Sequence, residues 1–126
     1  MSDSDRNVSI GGPVHRKAVE TALQVCPVEV AVAVLGGAWK LTIVKHLLDG
    51  PRRFGELGRL VGPVSPRVLT RQLRDLETDG IVSRTVFAEV PPRVEYDLTD
   101  LGRTLDIAVA WLDEWGKNFE EQLPSL

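Results

Sequence analysis

Three observations predict that this chain folds as a mainly α-helical domain with a small β-hairpin. Apolar residues recur at helical spacing, interrupted by glycines and prolines, through residues 15–79. The period becomes strand-like over residues 81–98 and helical again over residues 100–122. The chain has 126 residues, of which 43% are hydrophobic and 26% are charged, and these are the length and composition of one globular domain.

The first half of the chain is predicted to hold a tail and four short helices. Residues 1–13 are polar, lack periodicity and end in Gly11-Gly12-Pro13, so we expect a flexible tail followed by a single domain over residues 14–126. Proline fits the first turn of a helix and glycine fits the residue after the last, so these residues suggest helix boundaries. The four helices are predicted over residues 15–25, 27–35, 39–49 and 54–61.

A fifth helix is predicted from Ser65-Pro66 to Asp79. Its start is well marked because a capping hydroxyl precedes a proline at the first helical position, and Gly80 marks its end. Arg67, Thr70, Arg71 and Arg74 fall on one face of this helix, and Leu69, Leu73 and Leu76 fall on the opposite face.

The hairpin comes next and completes a recognisable plan. Strands are predicted over residues 81–87 and 93–98, with a stiff tip at Pro91-Pro92. The last helix, over residues 100–122, is capped by Thr99. Two helices that meet at a tight turn and precede a hairpin make a winged helix-turn-helix, whose core we place over residues 38–98.

The polar face of the fifth helix is predicted to read double-stranded DNA. Arginine pairs bidentately with guanine edges and phosphates, and threonine can bind a phosphate or touch a thymine methyl. Ser65 and Pro66 open this helix, and its first turns are those that enter the major groove in helix-turn-helix proteins. The alternative is an ordinary solvated face with no partner. The predicted DNA-binding residues are Arg52, Arg53, Ser65, Pro66, Arg67, Thr70, Arg71, Arg74 and Arg93.

The distribution of charge favours a DNA footprint in the middle of the chain. The net charge is −3, yet residues 37–93 hold ten basic and six acidic side chains, a net of +4. Residues 94–126 hold two basic and eight acidic side chains, a net of −6. The electrostatic field of a local patch governs how a protein encounters DNA, so the negative net charge of the whole chain does not exclude DNA binding. Arg52, Arg53 and Arg93 flank the reading helix in sequence and suit phosphate contact.

The last helix is predicted to form a dimer interface. Its apolar surface is broader and more aromatic than packing on one small domain needs, so part of it should meet another chain. The alternative is that these residues fill the intramolecular core. The expected interface residues are Leu105, Ala108, Trp111, Leu112, Trp115 and Phe119.

Other features restrict the function. The single cysteine, Cys26, excludes an intrachain disulfide and suits a reducing cytoplasm, and no apolar run reaches the length of a membrane span. Cys26 precedes a predicted helix, whose N-terminus favours the thiolate form of a reactive sensor, although a free cysteine is more often a small buried side chain. His15 and His46 lie too far from it for a metal site. With no phosphate loop or catalytic motif either, we expect no cofactor and no enzyme activity.

The sequence resembles the HxlR family of bacterial transcriptional regulators, which are related to the MarR-like winged helices. The similarity covers residues 26 to about 102 and is specific because its short motifs occur in order. They are Cys26-Pro27-Val28-Glu29, Leu35-Gly36-Gly37-Ala38-Trp39-Lys40, the segments 48–57, 69–77, 79–82 and 90–96, and Leu98-Thr99 with Gly102.

The resemblance implies a homodimer that binds inverted-repeat operators and dimerises through its N- and C-terminal helices. It also implies that Cys26 responds to oxidants or other electrophiles, with a small molecule as the other class of effector. Ala38 departs from the Lys or Arg common in the family, which removes one phosphate contact. The alternative function is a winged-helix module that binds a protein or small ligand without specific DNA binding. Arg67, Arg71 and Arg74 favour DNA.

Overall fold

The computed structural model describes residues 15–124, so the tail predicted over residues 1–13 lies outside the described residues. The predicted fold class, mainly α-helical with a small β wing, is confirmed. The elements in chain order are α1 (Lys17–Leu23), α2 (Pro27–Leu35), α3 (Lys40–Leu47), β1 (Arg52–Arg53), α4 (Phe54–Val61), α5 (Pro66–Thr78), β2 (Val82–Phe87), β3 (Arg93–Leu98), α6 (Asp100–Arg103) and α7 (Asp106–Gln122).

The ends of α5 form as the sequence predicts. The Ser65 hydroxyl oxygen accepts a hydrogen bond from the backbone N–H of Val68 at 3.2 Å, and Pro66 occupies the first helical position. Gly80 follows the helix with φ +78°, a left-handed conformation that glycine adopts without the clash a Cβ would cause. The chain then turns directly into β2.

The sheet has three strands, one more than the predicted hairpin. The order is β1-β3-β2, all antiparallel, and Arg52 pairs with Tyr96 while Arg53 pairs with Glu95. Two adjacent arginines after a proline carry no alternating pattern, so nothing local marks them as a strand. Only the long-range pairing with β3 makes them one.

The helix predicted over residues 100–122 is divided into α6 and α7. The backbone N–H groups of Thr104 and Leu105 return to the carbonyls three residues before them, both at 3.1 Å, which closes α6 tightly. Gly102 presses α6 onto the chain before β2, where an added Cβ would come within 2.3 Å of the Ile81 carbonyl oxygen. The helix axis restarts at Leu105, whose carbonyl accepts from Val109 at 2.8 Å.

The core lies between α3, α4, α5 and one face of the sheet. Its fully buried side chains are Ile43, Val44, Leu47, Leu57, Leu69, Leu73, Leu76 and Val82. Within the described chain, α2 contributes no buried residue and α7 contributes only Val109. Helices α2 and α7 therefore leave several large apolar side chains exposed.

No single helix within residues 15–124 has both the length and the apolar composition that crossing a membrane requires. The pair α2 and α3, bent by 81°, reaches them only when counted together.

Candidate nucleic-acid interface

The structure brings the four predicted reading residues of α5 onto one open surface. Arg67, Thr70, Arg71 and Arg74 line a shared cavity of about 340 Å³, and all three arginines are exposed. On the opposite face of the helix the three predicted leucines are almost completely buried. The core therefore fixes the rotation of α5 about its axis and holds the arginine face outward.

The acidic side chains of α5 and of its C-cap lie at the C-terminal end of the helix, where they already form ion pairs. Asp75 lies 3.2 Å from the Nζ of Lys40, and the Asp79 carboxylate accepts hydrogen bonds from both the Nε and the Nη2 of Arg16. Within residues 15–124, by contrast, no salt bridge holds Arg67, Arg71 or Arg74. The first turns of α5 thus present positive charge that no salt bridge within the described part of the chain neutralises.

The hydroxyl groups of Thr70 and Ser65 already form hydrogen bonds within α5, which restricts the contacts that they can make with a ligand. The Thr70 hydroxyl donates to the Pro66 carbonyl at 2.8 Å, so its methyl group and its oxygen lone pairs remain for contact. The Ser65 oxygen caps α5. Pro66 sets the entry of the helix.

The two arginines of β1 are placed differently from each other. Arg53 is exposed and shares an open cavity of about 380 Å³ with Pro91, Pro92 and Arg93 at the hairpin tip. Arg52 is half-buried, 3.8 Å from Asp49, and its Nε is buried without a hydrogen-bond partner among the described residues. Of the two, Arg53 is the more exposed, and phosphate contact by either arginine stays a prediction.

Arg93 is held by the hairpin itself. Its guanidinium binds Glu89 at 3.0 Å, also binds Glu95, and stacks 4.0 Å above the Phe87 ring. Desolvation lowers the pKa of Arg93, but the hydrogen bonds and charges of the two glutamates outweigh it, and the net shift is upward. Contact between Arg93 and DNA stays a prediction, and it would require the guanidinium to share or leave these carboxylates.

The predicted interface residues of α7 form an exposed apolar surface. Trp111 is 72% exposed and Trp115 is 63% exposed, and the Trp115 ring stacks on Phe119 with centroids 5.4 Å apart. Leu112 and Ala108 are exposed as well, whereas Leu105 is half-buried and packs against the core. The alternative that the tryptophans are core residues does not hold within this chain.

Cys26 is exposed at the N-cap position of α2. Its neighbours Val25 and Val28 are exposed apolar side chains, 66% and 68% accessible. Among the described residues, no three side chains of His, Cys, Asp or Glu are grouped to hold a metal ion. The thiol is therefore open to solutes and lies beside apolar surface.

The sequence profile of the HxlR-like helix-turn-helix family matches residues 34–124. This chain belongs to that family. It is 48% identical over 100 residues to the uncharacterised HTH-type transcriptional regulator YybR of Bacillus subtilis, covering 79% of this chain and 80% of that protein. It is 43% identical over 101 residues to YdeP of the same organism, also an uncharacterised HTH-type transcriptional regulator, covering 80% and 79%.

Solved structures of similar proteins share the fold of this HxlR-like chain. The redox regulator HypR in its oxidised form superimposes with a TM-score of 0.71 at 46% identity, covering 80% of this chain and 100% of that one. The reduced form of the transcriptional regulator YodB from B. subtilis superimposes with a TM-score of 0.68 at 35% identity, covering 79% and 99%. YybR, YdeP and YodB are described as transcriptional regulators and HypR as a redox regulator, so this chain belongs to a family that contains regulators.

Sequence reasoning missed the tether between α5 and the N-terminal helices of this HxlR-like fold. Arg16, just before α1, donates to Asp79 and to the Ala33 carbonyl of α2 at 2.8 Å. The hydrogen bond to Asp79 is the main cause of the upward shift in the pKa of Arg16. Because Arg16 and Asp79 are 63 positions apart, no local pattern reveals the pair. It fixes the end of α5 to the helices that carry Cys26.

Proposed function

We propose that this protein is a homodimeric transcriptional regulator that binds inverted-repeat operators in double-stranded DNA, with the first turns of α5 in the major groove. The observation that carries the proposal is the arginine face of α5, which forms no salt bridge among residues 15–124 and is held outward by a buried leucine face. Arginine at this position can bind guanine O6 and N7 together, which both attracts DNA and selects its sequence. The residues assigned to base edges are Arg67 and Arg71.

The uncovered apolar surfaces support the homodimer. Side chains of α7 and of the segment from α1 to α2 are exposed on one chain, and a second copy offers the same apolar chemistry in return. Two-fold symmetry then matches two reading helices to two half-sites about 34 Å apart, one turn of the duplex. The exposed residues of α1–α2 are Leu23, Val25, Val28 and Val32.

Replacing Arg71 with alanine is expected to weaken specific DNA binding by about 1–3 kcal/mol, since it removes a bidentate base contact. The measurement is fluorescence anisotropy at fixed salt, using a duplex that the protein itself selects from a random-sequence pool. Arg103→Ala is the matched control. It also removes one exposed guanidinium, but from α6. That helix lies near the C-terminal end of α5, because the hydroxyl of its N-cap residue Thr99 donates to the carbonyls of Gly80 and Ile81.

The two variants separate a specific contact from a general charge effect. If Arg71→Ala and Arg103→Ala lose the same affinity for the selected duplex, α5 does not read bases through Arg71 and that part of the proposal is wrong. If the wild-type protein selects no duplex from the pool even at low salt, DNA binding itself fails. The winged-helix module that binds a protein or small ligand would then be the better explanation.

We further propose that oxidants or electrophiles gate DNA binding through Cys26. The exposure of the thiol at the start of α2 supports this, as does the similarity to the redox regulator HypR. Diamide takes two electrons and two protons as two thiols join in a disulfide. Since each chain has one cysteine, the second thiol comes from the partner subunit's Cys26 or from a small thiol such as glutathione.

Replacing Cys26 with serine is expected to leave DNA affinity unchanged and to abolish its response to diamide. The check is the anisotropy assay with and without diamide, followed by a non-reducing gel and intact mass. A cross-linked dimer identifies an intersubunit disulfide, and an added mass identifies a mixed one. Release of DNA from the serine variant by diamide would show that the thiol is not the sensor. The proposal of thiol gating would then give way to regulation by a small molecule that does not react with Cys26.

A further inference from the structure

A polar cavity of about 320 Å³ opens between α5 and the inner face of the wing sheet. Four of its residues stand on α5 at positions that share one helix face, and two stand on the strands opposite. Thr70 and Arg74 also line the cavity on the reading surface of α5, so the two cavities share these two residues. The lining residues are Thr70, Leu73, Arg74, Glu77, Arg84 and Tyr96.

Two cationic side chains face each other across this cavity. Arg74 enters from α5 and Arg84 from β2, and no salt bridge occupies Arg74 within residues 15–124. Arg84 is about half exposed and lies 3.6 Å from Glu77, an ion pair that leaves most of its donors unused. A guanidinium carries five N–H donors, so Arg84 can keep Glu77 and bind a second anion.

Tyr96 supplies a neutral donor at the floor of the cavity. It pairs in register with Arg84 across the sheet, so both side chains project from the same face. Burial raises the pKa of the Tyr96 hydroxyl; the positive charges of Arg84 and Arg74 oppose this shift and Glu77 reinforces it. Because the net shift raises the pKa of Tyr96 above its ordinary value, the phenol is protonated at neutral pH and can donate a hydrogen bond.

We propose that Arg74, Arg84 and Tyr96 form a seat for one phosphate of the DNA backbone beside the groove that α5 enters. Two guanidinium groups and a phenol provide charge-assisted and neutral donors around one opening, which is the chemistry that phosphate oxygens require. This inference rests on the proposed function, because the phosphate arrives only if α5 binds the duplex. It adds Arg84 and Tyr96 to the DNA-binding residues.

The seat would set the register of α5 rather than read a base. A phosphate held between α5 and the sheet fixes how far along the groove the helix lies, so every sequence gains equally from the contact. Glu77 limits the gain, because its carboxylate competes for Arg84. The strength of the contact therefore depends on salt and not on the identity of the neighbouring base pair.

The test is the salt dependence of binding for Arg84→Gln, measured with the same selected duplex. Removal of one phosphate contact lowers the slope of log K against log[salt] by about 0.9, which is about an eightfold loss of affinity at 0.1 M salt. Arg103→Gln is the control, because Arg103 is similarly exposed and also pairs with a carboxylate, Asp97. Tyr96→Phe is expected to lose about threefold at every salt concentration, with an unchanged slope.

The outcomes distinguish the seat from the proposed function. An unchanged slope in Arg84→Gln, or an equal change in Arg103→Gln, overturns the seat while wild-type DNA binding stands. Failure of the wild-type protein to bind any duplex overturns the proposed function instead. Inorganic phosphate at 10 mM and constant ionic strength is the competing anion: if it binds wild type but not Arg84→Gln, and the duplex slope does not change, the seat takes free phosphate and the DNA assignment is wrong.

Discussion

Replacing Trp115 with glutamate is expected to convert the proposed homodimer into monomers and to lower affinity for a two-half-site duplex by about 100-fold or more. Trp115 is 63% exposed in the single chain and stacks on Phe119, so a partner would bury both rings. Buried tryptophans at the centre of interfaces often contribute 2 kcal/mol or more, and a carboxylate in an apolar interface adds a desolvation penalty. Without the partner, each monomer holds only one half-site.

Sedimentation equilibrium and anisotropy on the same samples test this expectation. Ala110→Glu is the control, since it adds the same charge to α7 about 140° around the helix from Trp115. We expect that variant to stay dimeric and to keep its DNA affinity. A dimeric Trp115→Glu protein with wild-type affinity would show that the apolar face of α7 is not the interface.

Replacing Leu73 with alanine is expected to lower the free energy of unfolding by about 2–5 kcal/mol. The side chain is 1% exposed and belongs to the core cluster beneath α5. Its loss leaves a cavity that the neighbouring side chains fill only in part, which adds to the lost apolar burial. Urea denaturation followed by circular dichroism gives the change, read from the midpoint at constant slope.

Leu60→Ala gives the comparison for this core substitution. Leu60 lies on α4 and is 42% exposed, so the same deletion of three carbons should cost less than about 1 kcal/mol. If both variants lose the same stability, the arginine face of α5 is not held outward by its leucines. The explanation for its orientation would then pass to the ion pairs at its C-terminal end.

Local sequence signals predict the elements that depend on local physics. The start of α5 follows from Ser65 and Pro66, and its two faces follow from helical spacing, because a cap and a periodicity are encoded within a few residues. Strand β1 and the break before α7 were not predicted. Strand β1 depends on pairing with the distant β3 strand, and the break is made by backbone hydrogen bonds of Thr104 and Leu105 that the apolar periodicity does not reveal.

The candidate site, too, is only partly predictable from the sequence. Counting charges along the sequence finds the basic middle of the chain but not which charges are neutralised. The structure shows Arg93 bound to two glutamates and leaves Arg71 without a salt bridge in the described chain, although both looked equally available in the sequence. Arg84 is not among the DNA-binding residues that the sequence predicts, and its pairing with Tyr96 and its place in the cavity reveal that it faces α5.

Strand β1 changes how the wing can behave when it meets DNA. Because β1 pairs with one edge of β3 and β2 with the other, the hairpin is anchored to the chain just before α4. A hairpin that extends freely must lose conformational entropy when it is ordered on a duplex, and that loss weakens association. Here the ordering takes place when the protein folds, so less entropy remains to be lost in the DNA binding that we propose.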